Sequence, residues 1–90
     1  MTTTLAVRHS VSDYSAWRAV YEEVGTIRSQ HGCLAEQVFR SPEDTNDLFI
    51  THEFPTVEQA RAFTQDPSFA AAMQRAGVIS APRIEIFERV

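Results

Sequence analysis

The sequence predicts an α+β fold in which helices cover one face of a single antiparallel sheet. Two patterns carry this prediction. Four short segments alternate apolar and polar residues, which is typical of β-strands. The longer segments between them repeat apolar residues at steps of three and four, which is typical of amphipathic helices. The order is strand, helix, strand, strand, helix, strand, and residues 1–90 are expected to form one domain.

The first strand and the first helix come from the N-terminal third of the chain. Residues 3–11 alternate as a strand, and Ser12 then lies at the position of a helix cap, with Asp13 in the first turn. A helix of roughly five turns is predicted to follow and to end at His31-Gly32. Its apolar stripe consists of Tyr14, Trp17, Val20, Tyr21, Val24 and Ile27.

Two strands joined by a turn come next, and a helix in two segments follows them. Cys33–Arg40 and Leu48–Phe54 alternate as strands, and the acidic residues 41–47 between them are typical of a turn. The second helix opens with a capping-box spacing, restarts at an Asp-Pro pair and ends at a glycine. The residues that carry these signals are Thr56, Gln59, Asp66, Pro67 and Gly77. Arg83–Val90 is the last strand.

This order of elements is that of the ferredoxin-like split β-α-β unit. Right-handed crossovers give a four-stranded antiparallel sheet with strand order 4-1-3-2 and both helices on one face. By the alternation of their strands, Phe39, Phe49 and Phe87 each lie on the opposite face from other apolar residues of the same strand. The second face of the sheet is therefore also apolar. Three phenylalanines left in water would forfeit several kcal/mol, at about 25 cal/mol per Å². We therefore expect a homodimer packed through its sheet faces; edge-exposed aromatics are the alternative.

Composition argues against several classes of function. The net charge is −4 and the basic residues, all arginines, are not clustered, which argues against a nucleic-acid partner. No apolar run approaches the roughly 20 residues that span a membrane, and the first residues do not resemble a signal peptide. The single cysteine, Cys33, is expected to be a small buried side chain in a reducing compartment, with a disulfide bridge across a dimer axis as the alternative. We expect a cytoplasmic protein with no membrane partner.

Three segments carry a resemblance to a known family. They are residues 7–17 (VRHSVSDYSAW), 37–40 (QVFR) and 72–78 (AMQRAGV). The chain resembles the dimeric α/β-barrel superfamily and, within it, the small proteins grouped with the antibiotic biosynthesis monooxygenases. The resemblance implies a homodimer. It leaves the activity open, since the superfamily includes cofactor-free quinone-forming monooxygenases, polyketide cyclases, haem-degrading enzymes and isomerases. Haem degradation is disfavoured, because the second helix has no histidine.

Two histidines and a tyrosine are the candidate catalytic residues. His9 and His52 lie on the more apolar side of their strands, where each is either a general base or a hydrogen-bonded core residue. Antiparallel pairing of strands one and three would keep their rings about 13 Å apart. Tyr21 supplies a hydroxyl on the inner stripe of the first helix. His31, at the end of that helix, is expected to be a solvated capping residue.

Aromatic and basic side chains are the candidate substrate-binding residues. They would line a pocket between helices and sheet for a flat ligand, or else form an ordinary core. These residues are Tyr14, Trp17, Phe63, Phe69, Met73 and Arg40. An arginine in this set could hold an enolate or carboxylate, although pairing with the strand glutamates Glu53, Glu85 or Glu88 is the alternative. The chain shows neither metal-ligand spacing nor a glycine-rich phosphate loop.

The leading hypothesis is a small-molecule enzyme that works without metal, flavin or other cofactor. It would oxygenate or cyclise an aromatic or polyketide-like substrate by abstracting a proton, as an oxidoreductase or a cyclase. The alternatives are a homodimer that binds a small ligand without catalysis, and a structural dimer whose own aromatics fill the cavity.

Overall fold

The computed structural model describes residues 2–90 and places four strands and four helices among them. In chain order these are β1 (Thr3–Ser10), α1 (Tyr14–Glu23), α2 (Gly25–Gln30), β2 (Ala35–Arg40), β3 (Asp47–Phe54), α3 (Val57–Gln65), α4 (Pro67–Arg75) and β4 (Arg83–Glu88). The strands form one antiparallel sheet with the order β2-β3-β1-β4, which is the predicted order read from the other edge. The predicted α+β, ferredoxin-like fold is confirmed.

The helices pack on the sheet face that carries the alternate residues of the central strands β1 and β3. Two buried clusters form the core between the layers. One contains Val11, Trp17, Tyr21, Leu48, Ile50 and Ala76, and the other contains Leu5, Val7, Phe54, Ala60 and Phe63. Because strand residues alternate between faces, both histidines of these strands also point into this layer and are buried.

The predicted five-turn helix was wrong in its continuity, because α1 and α2 are separated at Val24. Val24 has φ −94° and ψ 18°, outside the helical region, and Gly25 opens α2. A β-branched residue, a glycine and a further β-branched residue, Thr26, follow one another here, and all three propagate a helix poorly. The cap is also one residue later than predicted: Asp13, not Ser12, accepts a hydrogen bond from the Ala16 amide at 2.9 Å.

The signals predicted for the second helical region are present as capping contacts. The hydroxyl of Thr56 accepts a hydrogen bond from the Gln59 amide at 3.2 Å. The carboxylate of Asp66 accepts one from Ser68 at 2.9 Å, and Pro67 is the first residue of α4. Gly77 follows α4 with φ +80°, a conformation that glycine adopts without strain.

The ends of the outer strands differ slightly from the prediction. β2 begins at Ala35 rather than Cys33, and β4 ends at Glu88 rather than Val90. Cys33 is only half-buried: it packs against the second core cluster, and its thiol donates to the Ala35 carbonyl at 3.3 Å.

The sheet face away from the helices carries exposed aromatic side chains, as the alternation predicts. Phe39, Phe49 and Phe87 are 49%, 40% and 56% exposed. The rings of Phe39 and Phe49 lie 6.1 Å apart on neighbouring strands. Arg8 pairs with Asp47 at 2.8 Å on the same face, so this surface combines apolar rings with neutralised charges. None of the helices between residues 2 and 90 is long and apolar enough to cross a membrane.

Candidate active site

A cavity lies between the sheet and the helices α1, α2 and α4. Its free volume is about 60 Å³, which is room for a few water molecules. The wall includes residues of β1, β3 and all four helices. They are Val7, His9, Trp17, Val20, Tyr21, Val24, Ile27, Arg28, Ile50, His52, Phe63, Phe69, Ala72, Met73 and Ala76. The cavity is therefore mostly apolar, and both candidate histidines reach it.

His52 is held in the cavity wall by a hydrogen-bonded chain. Its Nε2 lies 3.1 Å from the hydroxyl of Tyr21. That hydroxyl also lies 3.0 Å from Oε2 of Glu36, which occupies the inward-facing register position opposite His52 on β2. The other ring nitrogen, Nδ1, is buried and has no hydrogen-bond partner among residues 2–90. The ring is thus anchored at one nitrogen and unpaired at the other.

The same burial keeps the ring of His52 uncharged. Burial, and then the positive charge of Arg28, lower the pKa of His52 to about 4. Burial also raises the pKa of Tyr21 well above its ordinary value, because the phenolate would be poorly solvated. At neutral pH the site therefore presents a neutral imidazole and an un-ionised phenol.

His9 lies toward the other end of the cavity. It pairs with Leu48 in the β1–β3 register while His52 pairs with Leu5, as predicted, so four residue steps separate the two histidines along the strands. Its ring meets the edge of Trp17 at 6.1 Å between centroids. Its Nδ1 is also buried and without a hydrogen-bond partner in the described part of the chain. Burial lowers the pKa of His9, so this ring is neutral at pH 7 as well.

Aromatic rings stack along the walls of the cavity. Trp17 and Tyr21 stack at 4.7 Å between centroids, and Phe63 and Phe69 lie 4.8 Å apart. His52 is in edge contact with Phe63 at 5.5 Å. Of the predicted substrate-binding residues, Trp17, Phe63, Phe69 and Met73 lie on the wall.

Tyr14 and Arg40 lie outside the wall. The guanidinium of Arg40 is 4.8 Å from the centroid of the Tyr14 ring, so the two residues contact each other at the β2 edge of the sheet. Arg40 forms no ion pair among residues 2–90, whereas Arg83 pairs with Glu85 at 3.1 Å, which is the kind of strand pairing that the sequence suggested.

Two charged residues of the site were not predicted from the sequence. Arg28 lines the cavity, and its guanidinium carbon lies 3.9 Å from the centroid of the Tyr21 ring. In the uninterrupted helix that the sequence predicted, its spacing of seven residues from Tyr21 would place the two on one face. Glu36 shares the alternation of Val38 on β2, which places it on the helix side of the sheet. Neither position predicts on its own that the long side chain extends as far as Tyr21.

Polar contacts join α1 and the end of α2 to α4. Glu23 of α1 pairs with Arg75 of α4 at 3.2 Å. His31, after α2, lies 2.8 Å from the carboxylate of Asp66 and 5.8 Å from the Phe63 ring. His31 is the C-cap residue of α2, as predicted, but its side chain is not fully solvated, because it contacts Asp66. Nowhere in residues 2–90 do three or more candidate ligands group as a metal site would require.

Solved structures with the same fold come from several bacteria. SnoaB, a cofactor-independent oxygenase of Streptomyces nogalater, superposes with a TM-score of 0.80 at 13% identity, over 99% of this chain and 93% of that one. A protein of Bordetella bronchiseptica described as a candidate antibiotic biosynthesis monooxygenase gives 0.82 at 15% identity, over 99% and 97%. Rv0793 of Mycobacterium tuberculosis gives 0.75 at 12% identity, over 100% and 96%. At these identities the likeness establishes the fold alone.

The sequence itself identifies the family. No curated protein matches it significantly. The family profile described as "Antibiotic biosynthesis monooxygenase" matches residues 13–75, which run from the cap of α1 to the end of α4 and cover most of the cavity wall. The chain therefore belongs to the antibiotic biosynthesis monooxygenase family.

Proposed function

We propose that this protein is a cofactor-independent enzyme that removes a proton from a small aromatic or polyketide-like substrate and so starts its oxygenation or cyclisation. One observation carries the proposal. His9 and His52 are both buried and neutral, both line one apolar cavity, and each has a buried Nδ1 without a hydrogen-bond partner among residues 2–90. An unpaired imidazole nitrogen in such a place can act as a general base.

The two reactions share their first step and differ in what the resulting anion attacks. In cyclisation, an enolate attacks a carbonyl carbon of the same molecule, and the imidazolium returns its proton to the new alkoxide. In oxygenation, a phenolate or enolate attacks dioxygen, and the hydroperoxide that forms then loses water. One oxygen atom becomes the new carbonyl and the other becomes water, so dioxygen takes the four electrons that the substrate loses. Dioxygen is the oxidant in this scheme, and no organic cofactor is required.

Arg28 is proposed to stabilise the negative charge that develops on the substrate oxygen. It is the cation on the cavity wall, and it carries no carboxylate partner in the described ion pairs. A guanidinium beside an apolar cavity interacts strongly with an oxyanion because little water screens the charge. Tyr21, directly beneath Arg28, can orient the substrate through its ring face. Arg28 thus takes the role that the sequence suggested for Arg40.

Substrate entry is proposed to require movement of the helices. Ligand pockets typically enclose about 300–1,000 Å³, and this cavity encloses about 60 Å³. One contact that joins α1 to α4 is the Glu23–Arg75 ion pair, which lies at the surface. Surface ion pairs contribute about 0–1 kcal/mol each. Breaking this pair therefore adds little to the free energy that parting the helices would cost.

The active unit is proposed to be a cytoplasmic homodimer packed through the outward sheet face. The three exposed phenylalanines of that face, Phe39, Phe49 and Phe87, are the argument for a second copy as the occupant, since the same apolar surface would meet itself across a two-fold axis. The Arg8–Asp47 pair lets these two charges be covered without leaving either of them unpaired.

Turnover by chelator-treated protein tests the proposed function. A panel of phenolic and polyketide-like compounds would be followed by dioxygen uptake and by product mass, for the unmodified protein and for His9→Ala and His52→Ala. We expect at least one of these substitutions to lower kcat/KM by about 100-fold or more, the usual contribution of a general base. His31→Ala is the matched control, since His31 does not line the cavity, and it should retain activity.

Two results would contradict the proposal. Undiminished activity in both cavity variants would remove the histidine mechanism. Binding of panel compounds, seen as a thermal shift, with no turnover of any would favour the ligand-binding alternative. The alternative of a structural dimer, whose own aromatic residues fill the cavity, is supported by the small volume of the cavity. The absence of a thermal shift with every compound would favour that alternative.

A further inference from the structure

The hydroxyl of Tyr21 has one proton and two neighbours that could accept it. Oε2 of Glu36 lies at 3.0 Å and Nε2 of His52 at 3.1 Å. If the proton points to His52, then Nε2 is the acceptor and Nδ1 must carry the hydrogen of the neutral ring. If it points to Glu36, then Nε2 carries the hydrogen and donates to the Tyr21 oxygen, and Nδ1 has a free lone pair. The two arrangements give His52 opposite chemistry in the cavity.

The charge of Glu36 favours the second arrangement. A hydrogen bond to a carboxylate is roughly twice as strong as one between neutral groups, so the single proton of Tyr21 gains more by pointing to Glu36. The phenol is fully protonated at neutral pH, because burial raises the pKa of Tyr21.

The environment of Nδ1 favours the same arrangement. This atom is buried and has no hydrogen-bond partner among residues 2–90. Among backbone groups, a buried N–H without a partner is rarer than a carbonyl oxygen that is not fully satisfied, and we extend this preference to the imidazole ring. The first arrangement would create such an N–H at Nδ1, whereas the second leaves an unshared lone pair there.

We infer that Glu36 is a positioning residue that acts through Tyr21 to hold His52 in the tautomer whose Nδ1 carries a free lone pair. The inference rests on the proposed function for its consequence, which is that Nδ1 is the atom that receives the substrate proton. It rests on the hydrogen-bonded chain alone for the tautomer. Tyr21 then orients the ring of His52 through its hydroxyl and does not act as the acid of the reaction.

The chain of contacts also stabilises the protonated state of His52. When Nδ1 accepts a proton, the ring becomes an imidazolium and Nε2–H continues to donate to Tyr21. The negative charge of Glu36 is then two hydrogen bonds from the new positive charge and attracts it. No proton passes to Glu36, so the step is complete with one bond to hydrogen broken in the substrate and one formed at Nδ1.

Nitrogen-15 NMR of the histidine side chains tests the inference on the unliganded protein. The signals of His52 are assigned by comparison with His52→Gln, and a ring nitrogen that carries hydrogen is readily distinguished by its chemical shift from one that does not. In the unmodified protein we expect hydrogen on Nε2 and a lone pair on Nδ1. Glu36→Gln, which keeps a hydrogen-bonding oxygen but removes the charge, and Tyr21→Phe, which removes the hydroxyl, should each give a mixture of tautomers.

Glu53→Gln is the matched control. Glu53 is also a strand carboxylate with a hydrogen-bonded hydroxyl, that of Thr4, but it lies on the opposite sheet face from His52. Its substitution should leave the His52 signals unchanged. Hydrogen on Nδ1 in the unmodified protein would overturn the inference, and so would an unchanged tautomer in both Glu36→Gln and Tyr21→Phe.

Kinetics separate a failure of this inference from a failure of the proposed function. With an active substrate, Glu36→Gln should lower kcat by about 10- to 100-fold with little change in KM, within the roughly 10²–10⁴-fold that a general base supplies. An unchanged kcat would contradict the positioning role while leaving the proposed function in place. If the tautomers behave as expected but no compound is turned over, the proposed function fails and the positioning of His52 by Glu36 is supported.

Discussion

Removal of one aromatic ring from the outward sheet face should weaken the proposed homodimer strongly. Phe87 on β4 is the most exposed of the three phenylalanines, at 56%. It lies opposite Thr4 of β1 and makes no ring contact with either of the other two. Phe87→Ala therefore changes the surface without removing a residue of the core beneath it.

The size of the effect follows from the exposed area. A phenylalanine presents about 200 Å² in total, so the exposed fraction of Phe87 leaves roughly 110 Å² to be covered. A two-fold dimer buries this area twice, which corresponds to about 5 kcal/mol at ~25 cal/mol per Å². The alanine retains part of the side chain, so we expect a loss of about 3 kcal/mol. The dimer Kd should rise by roughly 100-fold, since about 1.4 kcal/mol corresponds to a factor of ten.

Sedimentation equilibrium over nanomolar to micromolar concentrations measures this Kd directly. Leu34→Ala is the matched control, because Leu34 is 61% exposed but lies just before β2, on the alternate position from the outward-facing Ala35 and Phe39. It should leave Kd within a factor of two or three. An equal weakening by both substitutions, or none by Phe87→Ala, would refute the assignment of the outward face as the interface.

Three further predictions concern stability and are measured by urea unfolding. Burial lowers the pKa of His52 from 6.5 to about 4, so the unfolded chain binds a proton at a higher pH than the folded one. The free energy of unfolding should therefore be constant above about pH 6.5 and decrease by up to about 3 kcal/mol as the pH falls toward 4. His52→Gln should flatten this pH dependence. A dependence that is as steep in His52→Gln would assign it to other groups. Asp66→Ala should lower the free energy of unfolding by more than the roughly 1 kcal/mol of a lost helix cap, because Asp66 also contacts His31. Asp13→Ala should remove the cap contribution alone. Equal losses in the two variants would show that the His31 contact contributes nothing to stability. Gly77→Ala should destabilise the protein by about 1–3 kcal/mol, because φ is +80° and the added carbon would lie 2.6 Å from Oγ of Ser12. In a Ser12→Ala background, Gly77→Ala should cost less, because the steric part of the loss is removed and the backbone strain remains. If Gly77→Ala costs nothing in that background, backbone strain is excluded.

The sheet could be predicted from the sequence because its determinants are local and periodic. Alternation in residues 3–11 and in Leu48–Phe54 assigns the faces of β1 and β3, and the handedness of the crossovers then leaves one strand order. The same alternation correctly placed Phe39, Phe49 and Phe87 together on the face away from the helices. Period and chirality contain enough information for this level of structure.

The break between α1 and α2 was missed because an apolar stripe reports which side of a helix is buried, not whether the helix is continuous. Val24 lies on that stripe, so its position looked helical, and the low helix propensity of Val24, Gly25 and Thr26 decided the backbone instead. The site shows a similar division. Its aromatic wall was predicted from helical spacing, but Arg28 and Glu36 reach Tyr21 through long side chains whose direction no periodicity specifies.

Hydrogen–deuterium exchange at an acidic C–H of a bound carbon acid tests most directly whether the cavity histidines act as bases. An aryl 1,3-diketone in D₂O under nitrogen is a suitable probe, because neither dioxygen nor ring closure is needed for the exchange. The protein should accelerate deuterium uptake, and His52→Ala should abolish most of that acceleration while His31→Ala does not. Binding of the probe with no acceleration of exchange by the unmodified protein would contradict the proposed proton abstraction.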